Sequence, residues 1–343
     1  MLSEIRIALA ALLTLLGAAT AVPETASADP AYSSTASARP RGLDVTGWVL
    51  ADAKNRLVDR NAAGLSTLSI DGLGLRAHGN GVLAPADGAA RLARRGHHHG
   101  LSVELLLSNY SNSLGDFDAT ALHRLLASAA HRRHVAARVA AYVRRGGYDG
   151  VNVDLELVRA RDGGRLVAFV RRLQRALPAA TTVSIDISAS TSLRAYRRHG
   201  YRLGALGRAV DVVDLMTYDY SGPTWSGPGP IGPLPWQRKA MKTLLKRVPA
   251  AKAQLGFGGY GYTWPAHRTG RTVTDAGARR RVAHDGATAH WHPRIGEWSA
   301  KLSNGTRLWW SDKRSYRKRI TLARDLGVRG LAVWRLGSAD RLR

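Results

Sequence analysis

The run Asp149-Gly150-Val151-Asn152-Val153-Asp154-Leu155-Glu156 sets two carboxylates two residues apart, with an asparagine two residues earlier. Side chains alternate faces along an extended chain, so Asn152, Asp154 and Glu156 share one face and Val151, Val153 and Leu155 the other. The two acids are about two strand rises apart, roughly 6.5–7 Å. Carboxyl groups gathered on one face are candidates for general acid–base work. The acid needs a pKa raised toward the working pH, which a desolvated site supplies. Glutamate is scarce: of the five in the chain (Glu4, Glu24, Glu104, Glu156 and Glu297), only Glu156 follows another acid by two positions on one strand. Asp149 starts the strand on the opposite face and is expected to be structural. With no cysteine, the chain has no thiol nucleophile, zinc–thiolate site or iron–sulfur cluster. His97-His98-His99 reads as a polar helix-to-strand connection, because adjacent side chains rarely converge on one ion. His290 and His292 share a strand face with no acid evident nearby. No metal and no cofactor is expected.

These residues must be held by a repeating frame. Short apolar runs near 45–50, 65–71, 101–108, 150–157, 182–188, 211–218, 252–257 and 329–334 read as strands. The clearest helical stretches are 120–145 (two in succession), 164–177, 237–247 and 316–326. Alternating strand and helix predicts a parallel sheet with helices outside it, and eight such units predict an α/β fold of the (β/α)8 TIM-barrel type. A small α+β insertion is expected at about 262–312, between strand 7 and the last helices, with 287–291 and 308–310 pairing antiparallel. In such a barrel the polar face of strand four points inward, and its acids fall at the C-terminal end, where barrel active sites lie.

Four segments in order resemble one family. Asp149–Glu156 resembles the D-G-x-D-x-D-x-E signature of glycoside hydrolase family 18, the chitinase-like barrels. Asp214-Leu215-Met216-Thr217-Tyr218-Asp219 resembles its sixth-strand M-T-Y-D, and Leu255–Gly261 its seventh-strand L-G-x-P-x-Y-G. Gly330–Gly337 resembles the eighth-strand segment that carries a tryptophan, and Trp310–Ser315 the W/Y-x-D-x-x-S element of the family's insertion. The resemblance covers about 43–343 and implies hydrolysis of β-linked N-acetylglucosamine glycosides with retention. The substrate's own acetamido oxygen would attack the anomeric carbon to form an oxazolinium ion, so no second carboxylate nucleophile is needed. Glu156 is implied as general acid, then base. Asp154 is implied to hold the acetamido N–H, and Tyr218 to hydrogen-bond its carbonyl. Asn152, Met216, Asp219 and Tyr260 would shape the sugar pocket, with Trp334 as its apolar floor. Trp225 and Trp264, in the loops after strands six and seven, offer faces for stacking on sugar rings, as does Trp236.

Two positions depart from the family pattern. Asn152 stands where the family has its middle aspartate. It is expected to hydrogen-bond Asp154 without sharing its charge, so that Asp154 ionises more readily. Leu105–Asn109 replaces the S-x-G-G of typical chitinases, which directs the expectation toward peptidoglycan or a spore-cortex type of glycan before chitin. The alternative is a catalytically silent, lectin-like barrel; such relatives usually lose the last glutamate of the motif, which this chain keeps as Glu156.

The 343 residues carry a formal net charge of +26, and only eight of the 51 basic residues are lysine. With 45% hydrophobic residues the chain is of the globular class. Arg6, a 16-residue uncharged run from Ile7 to Val22, and the small-residue patterns Ala19-Thr20-Ala21 and Ala26-Ser27-Ala28 predict an export signal over 1–28. A flexible leader is expected over 29–42, and no transmembrane segment in the mature chain. The expected location is secreted, extracellular or cell-wall associated. The arginines are spread along the chain and no nucleic-acid recognition motif accompanies them, so the expected partners are the glycan and, electrostatically, anionic wall polymers.

Overall fold

The computed structural model describes residues 42–342; the expected export signal (1–28) and nearly all of the expected leader (29–42) lie outside the described residues. Eight parallel strands close into a barrel: β1 (Asp44–Leu50), β2 (Thr67–Gly74), β3 (Ser102–Ser108), β4 (Gly150–Asp154), β5 (Thr182–Ser188), β6 (Val212–Met216), β7 (Ala253–Gly258) and β8 (Gly330–Trp334), with β8 pairing back onto β1. This is the (β/α)8 architecture expected from the strand–helix rhythm.

Alternation along the strands sorts the side chains. Val151 and Val153 of β4, Val183, Ile185 and Ile187 of β5, and Val213 and Leu215 of β6 are fully buried in the outer apolar layer. Leu166, Phe169, Val170 and Leu173 of the helix Gly163–Ala176 belong to the same layer. The inward positions are unusually polar for a barrel, whose interior is ordinarily filled by branched apolar residues. Ser69, Glu104, Asn152, Ser184, Asp186, Asp214 and Gln254 are all buried there. Trp48, Leu106 and Ala332 supply the apolar remainder, with Trp334 packed against them.

Local signals set the helix ends. The stretch 120–145 is indeed two helices, Ala119–Ala127 and Ala129–Gly146, broken at Ser128, whose side chain caps the second by accepting from His131 N at 3.2 Å. Gly147 ends it at φ 64, a left-handed conformation that glycine adopts without steric cost. The helices Asn55–Asn61, Gly88–His98, Leu193–Arg198 and Leu203–Ala209 were not evident from periodicity. They are short or interrupted by glycine and arginine, so their apolar stripe is brief.

The insertion is a five-stranded antiparallel sheet with the helix Asp275–Asp285. The expected pairing of 287–291 with 308–310 is corrected. His290–His292 pairs with Glu297–Lys301, and that strand, hidden from the sequence reading by its mixed polarity, lies between it and Arg307–Trp310. Asp312 of the W-x-D-x-x-S element caps the helix Lys313–Asp325 by accepting from Ser315 N at 3.0 Å, and takes the Trp298 indole N–H at 2.9 Å.

One buried ion pair joins insertion to barrel. Arg319, 0% exposed, donates to Glu297 (2.9 Å) and Gln237 (3.0 Å), and to the carbonyls of Gly232 and Gly296. Glu297 also accepts from the backbone N–H groups of Ile231 (2.7 Å) and Gly232 (2.8 Å). Removing one partner of such a pair strands the other charge. Arg319→Met is therefore expected to lower stability by about 3–5 kcal/mol in urea unfolding, and Arg319→Met/Glu297→Gln by less. Equal losses in the two variants would show that the pairing itself is not what holds the insertion.

Candidate active site

The site is built at the C-terminal mouth of the barrel. β4 ends at Asp154, so Glu156 stands two residues past the strand rather than within it, followed by Leu157 at φ 58. A clamp from the neighbouring strand end replaces the lost ladder bonds. Asn109, just after β3, accepts from Glu156 N at 2.8 Å and donates to Glu156 O at 3.1 Å. The Glu156 carboxylate reaches toward β5, where Ser188 Oγ donates to Oε2 at 3.3 Å and contacts the Tyr201 hydroxyl at 3.4 Å. Asp154 accepts from Ser108 Oγ at 3.2 Å, while its Oδ1 is buried without a partner.

The electrostatics follow from burial among acids. Burial first, then the charge of Asp71, pushes Asp154 up to about 7. Burial, then Asp154 and Asp219, holds Glu156 well above the usual carboxylate range. The shift favours the protonated form of Glu156, the form that a proton donor requires.

One expectation about Asn152 is corrected. It makes no hydrogen bond to Asp154: its amide donates to Ser184 Oγ (2.8 Å) and Asp186 Oδ1 (3.0 Å), and its oxygen accepts from Trp48 Nε1 (3.3 Å).

The β6 end supplies the opposite wall. Met216 closes the strand, and Tyr218 and Asp219 follow it, Asp219 at φ 57. Asp219 Oδ1 accepts from the hydroxyls of Tyr262 (2.8 Å) and Tyr260, and its Oδ2 is buried without a partner. Burial pushes Asp219 to about 6 even with these two donors. Tyr218 packs edge-on to Tyr260, ring centres 6.4 Å apart. Its hydroxyl is held far from ionisation, by burial first and then by Asp186, Asp154, Asp219 and Glu156, and so remains a donor. Gly258 of β7 makes room: a Cβ there would lie 2.9 Å from Tyr260 Cε1 and 3.0 Å from Tyr218 Cβ.

Trp334 ends β8, partly exposed, against Trp48 at 6.0 Å between ring centres; its peptide bond to Arg335 is cis. Met216, Tyr218, Tyr260 and Trp334 belong to one aromatic cluster at the mouth. Trp225 and Trp264 sit one layer out, edge-on to Tyr262 at 5.8 and 6.0 Å, and Trp236 packs on Tyr220 at 5.2 Å. Tyr260 spends its hydroxyl on Asp219, so it positions that acid. His97 contacts Asp149 (2.9 Å) and His99 contacts Asp59 (2.8 Å), so the histidine run divides between two partners.

The sequence reading missed Ser108, Asn109, Ser188, Asp71, Asp186 and Tyr262. The signal for two of them was present in β5, where Ser184, Asp186 and Ser188 alternate with apolar residues as strand four does. From Asp71 and Ser108 a cleft of about 1090 Å³ runs outward over the loops that follow β2 and β3, past Leu83 and Tyr110 to His134 and Arg138.

The arrangement is a buried carboxyl biased toward its protonated form, a second carboxyl, a tyrosine hydroxyl and an indole face at the barrel mouth, with a cleft that meets the site at Asp71 and Ser108. The family described as Glycosyl hydrolases family 18 matches residues 95–339, and the chain belongs to that family. It is 28% identical over 222 residues to the cortical fragment-lytic enzyme of Bacillus subtilis (strain 168), covering 60% of this chain and 50% of that protein. Against the cortical fragment-lytic enzyme of Bacillus anthracis it is 24% identical over 278 residues, covering 75% and 62%. The chain thus spans less than two thirds of the length of these curated relatives. The solved structure of the Bacillus cereus spore cortex-lytic enzyme SleL overlays with a TM-score of 0.78 at 20% identity, over 88% of this chain and 72% of that one. A class V chitinase from Pseudomonas fluorescens Pf-5 overlays with a TM-score of 0.78 at 24% identity, over 87% and 96%. These two overlays establish a common fold.

The raised acids have a consequence for folding. Glu104, buried in the barrel, is pushed by desolvation from 4.5 up to about 7. Between those values the folded chain keeps a proton that the unfolded chain has released, so stability falls as pH rises through this window. Glu104 alone contributes a loss on the order of 3 kcal/mol. Urea unfolding of Glu104→Gln should therefore weaken less than wild type between the acidic and neutral ends of the window. Parallel pH dependences in the two proteins would mean that Glu104 titrates as an ordinary glutamate.

Proposed function

We propose that this chain is an exported retaining glycosidase that cleaves β-linked N-acetylglucosamine glycosides by substrate-assisted catalysis. The observation that carries this reading is the buried Glu156 carboxyl group, biased toward its protonated form, beside Asp154 and the Tyr218 hydroxyl. Glu156 gives its proton to the leaving glycosidic oxygen while the substrate's acetamido oxygen attacks the anomeric carbon. Tyr218 donates to that acetamido oxygen and aims it. Asp154, as carboxylate, accepts the acetamido N–H and stabilises the oxazolinium ion. The Glu156 carboxylate then takes a proton from water, which attacks the anomeric carbon, opens the ring and restores both the acetamido group and the acid. Two displacements at one carbon give retention. Trp334 provides the apolar floor, and Met216 and Asp219 the wall. Trp225 and Trp264 shape the loops of the outer cleft.

Peptidoglycan is the favoured substrate over chitin oligomers. The exposed Arg76, His78, His134 and Arg138 line the cleft. Of the two acids in its lining, Asp71 lies at the inner end and Asp118 is spent capping the helix Ala119–Ala127. A rim that carries Arg76 and Arg138 suits a glycan bearing carboxylates. Relatives described as cortical fragment-lytic enzymes support the same direction. The net charge of +26 would also hold the exported enzyme on anionic wall polymers through salt-sensitive contacts. The lectin-like alternative leaves the buried Glu156 carboxyl group without a task.

The test incubates the protein and Glu156→Gln with purified peptidoglycan and with N-acetylglucosamine oligomers, and reads new reducing ends by mass spectrometry. Glu156→Gln should lower the rate by at least about 10²–10⁴ while sparing glycan binding. Glycan binding by both proteins with products from neither would establish the lectin-like alternative. Arg76→Ala/Arg138→Ala should raise KM severalfold for muramyl glycans and leave neutral oligomers unaffected. An equal effect on both substrates would remove the case for carboxylate recognition.

A further inference from the structure

Beside Asp154, inside the barrel, stand two further carboxyl groups with no assigned task, Asp186 and Asp214. In the β4–β5 register Asn152 pairs with Ser184 and Val153 with Ile185, so the next step along the strands sets Asp154 beside Asp186. Asp186 in turn pairs with Asp214 of β6, and Asp214 with Gln254 of β7. Adjacent strands are about 4.8 Å apart. Three aspartates on consecutive strands therefore stand side by side inside the barrel, 8%, 3% and 1% exposed. Ser108 of β3 flanks them on one side and Gln254 on the other.

We infer that Asp186 is the proton partner of Asp154: the two carboxyl groups hold one proton between them, and it passes to Asp186 when Asp154 must carry negative charge. This inference rests on the proposed glycosidase reading. Asn152 supplies the geometric reason. Its amide hydrogens are spent on Ser184 Oγ (2.8 Å) and Asp186 Oδ1 (3.0 Å), and its oxygen accepts from Trp48 Nε1 (3.3 Å). It is thus tied toward β5 and gives nothing to Asp154, whose Oδ1 is buried without a partner. The groups facing Asp186 are Asp154 on β4, Asp214 on β6, Glu104 on β3 and the Tyr218 hydroxyl beyond β6. None is a cation. The cation acting on this row is Arg329, felt by Glu104 and Asp214. Adjacent buried carboxylates cannot all be ionised, so they retain protons in common and titrate as a set.

The transfer balances without a co-reactant. Before the sugar's acetamido group engages, the proton bridges the two aspartates or rests on Asp154. As the oxazolinium ion forms, the O–H bond on Asp154 breaks and one forms on a carboxylate oxygen of Asp186. Asp154 becomes the anion that the cationic intermediate needs, and the proton returns after hydrolysis. Asp186 touches no substrate in this scheme; it positions charge on Asp154.

The amide–carboxylate bond between residues 152 and 186 suggests the test, because reversing its ends keeps the bond and moves the acid to β4. Wild type, Asp186→Asn and Asn152→Asp/Asp186→Asn would be compared by kcat and KM across the acidic to neutral range on a muramyl glycan, with folding checked by thermal unfolding. Asp186→Asn should lose about 10²-fold in kcat, at the low end of acid–base contributions, with KM little changed. One ionisation should also leave its pH profile. The swapped variant should recover most of kcat and the missing ionisation. A wild-type profile in Asp186→Asn, or no recovery in a folded swap, would overturn the inference. A readout independent of turnover is the infrared C=O band of protonated carboxyl groups near neutral pH. It should weaken in Asp186→Asn and return in the swap, and an unchanged band would refute the shared proton even in a protein that cleaves no glycan. A band that behaves as expected in a protein without activity would instead count against the glycosidase reading alone.

Discussion

Carboxyl groups placed inside a parallel barrel, with little positive charge to meet them, constrain everything else at this mouth. Glu104, Asp154, Asp186 and Asp214 all point inward, and each is pushed upward in pKa first by burial and then by another acid or a nearby charge. Ionising them together would be costly, so they retain protons and lean on neutral donors such as Ser108, Ser184 and Asn152. Glu156, at the rim of this acidic interior, inherits the same bias toward the protonated form. The property that suits it to donate a proton therefore belongs to the barrel as a whole.

The molecule treats a second buried acid in the opposite way. Glu297 meets the guanidinium of Arg319 and two backbone N–H groups, and its role is to fasten the insertion beside the barrel. A cation meets the acid that fastens the insertion, whereas Asp154 and Asp186 inside the barrel lean on neutral donors. Between these extremes lies Asp219, which holds two tyrosine hydroxyls and so fixes the aromatic wall while one of its oxygens stays without a partner. The Asn109 clamp belongs to the same design: it holds Glu156 by its backbone and leaves the carboxyl group's protonation to the surroundings.

Much of the frame was legible along the chain. Alternation in β4 and β5 and the apolar runs of the other strands are properties of neighbouring residues, so eight strands and the polar inner face of β4 could be read directly. The strand hidden in the insertion, Glu297–Lys301, could not, because its polarity is mixed and its pairing is settled by the sheet around it. The short helices after β1 and β5 carry too brief an apolar stripe to be seen. Asn152 shows the limit most clearly. Its chemistry allowed a bond to Asp154, and the choice of Ser184 and Asp186 instead was made by the neighbouring strand.

Residue type and spacing within a segment were thus sufficient to establish the barrel, its acidic strand and the candidate proton donor, since backbone alternation is local and Glu156 is the one glutamate so placed. Which groups face one another is a matter of inter-strand register, in which residues far apart in sequence become neighbours. Asp154 beside Asp186, Asn109 against Glu156, and Tyr260 and Tyr262 on Asp219 all arise in that way. So do the pKa shifts, because desolvation depends on how much of the folded chain surrounds a group and is invisible to any short stretch of residues.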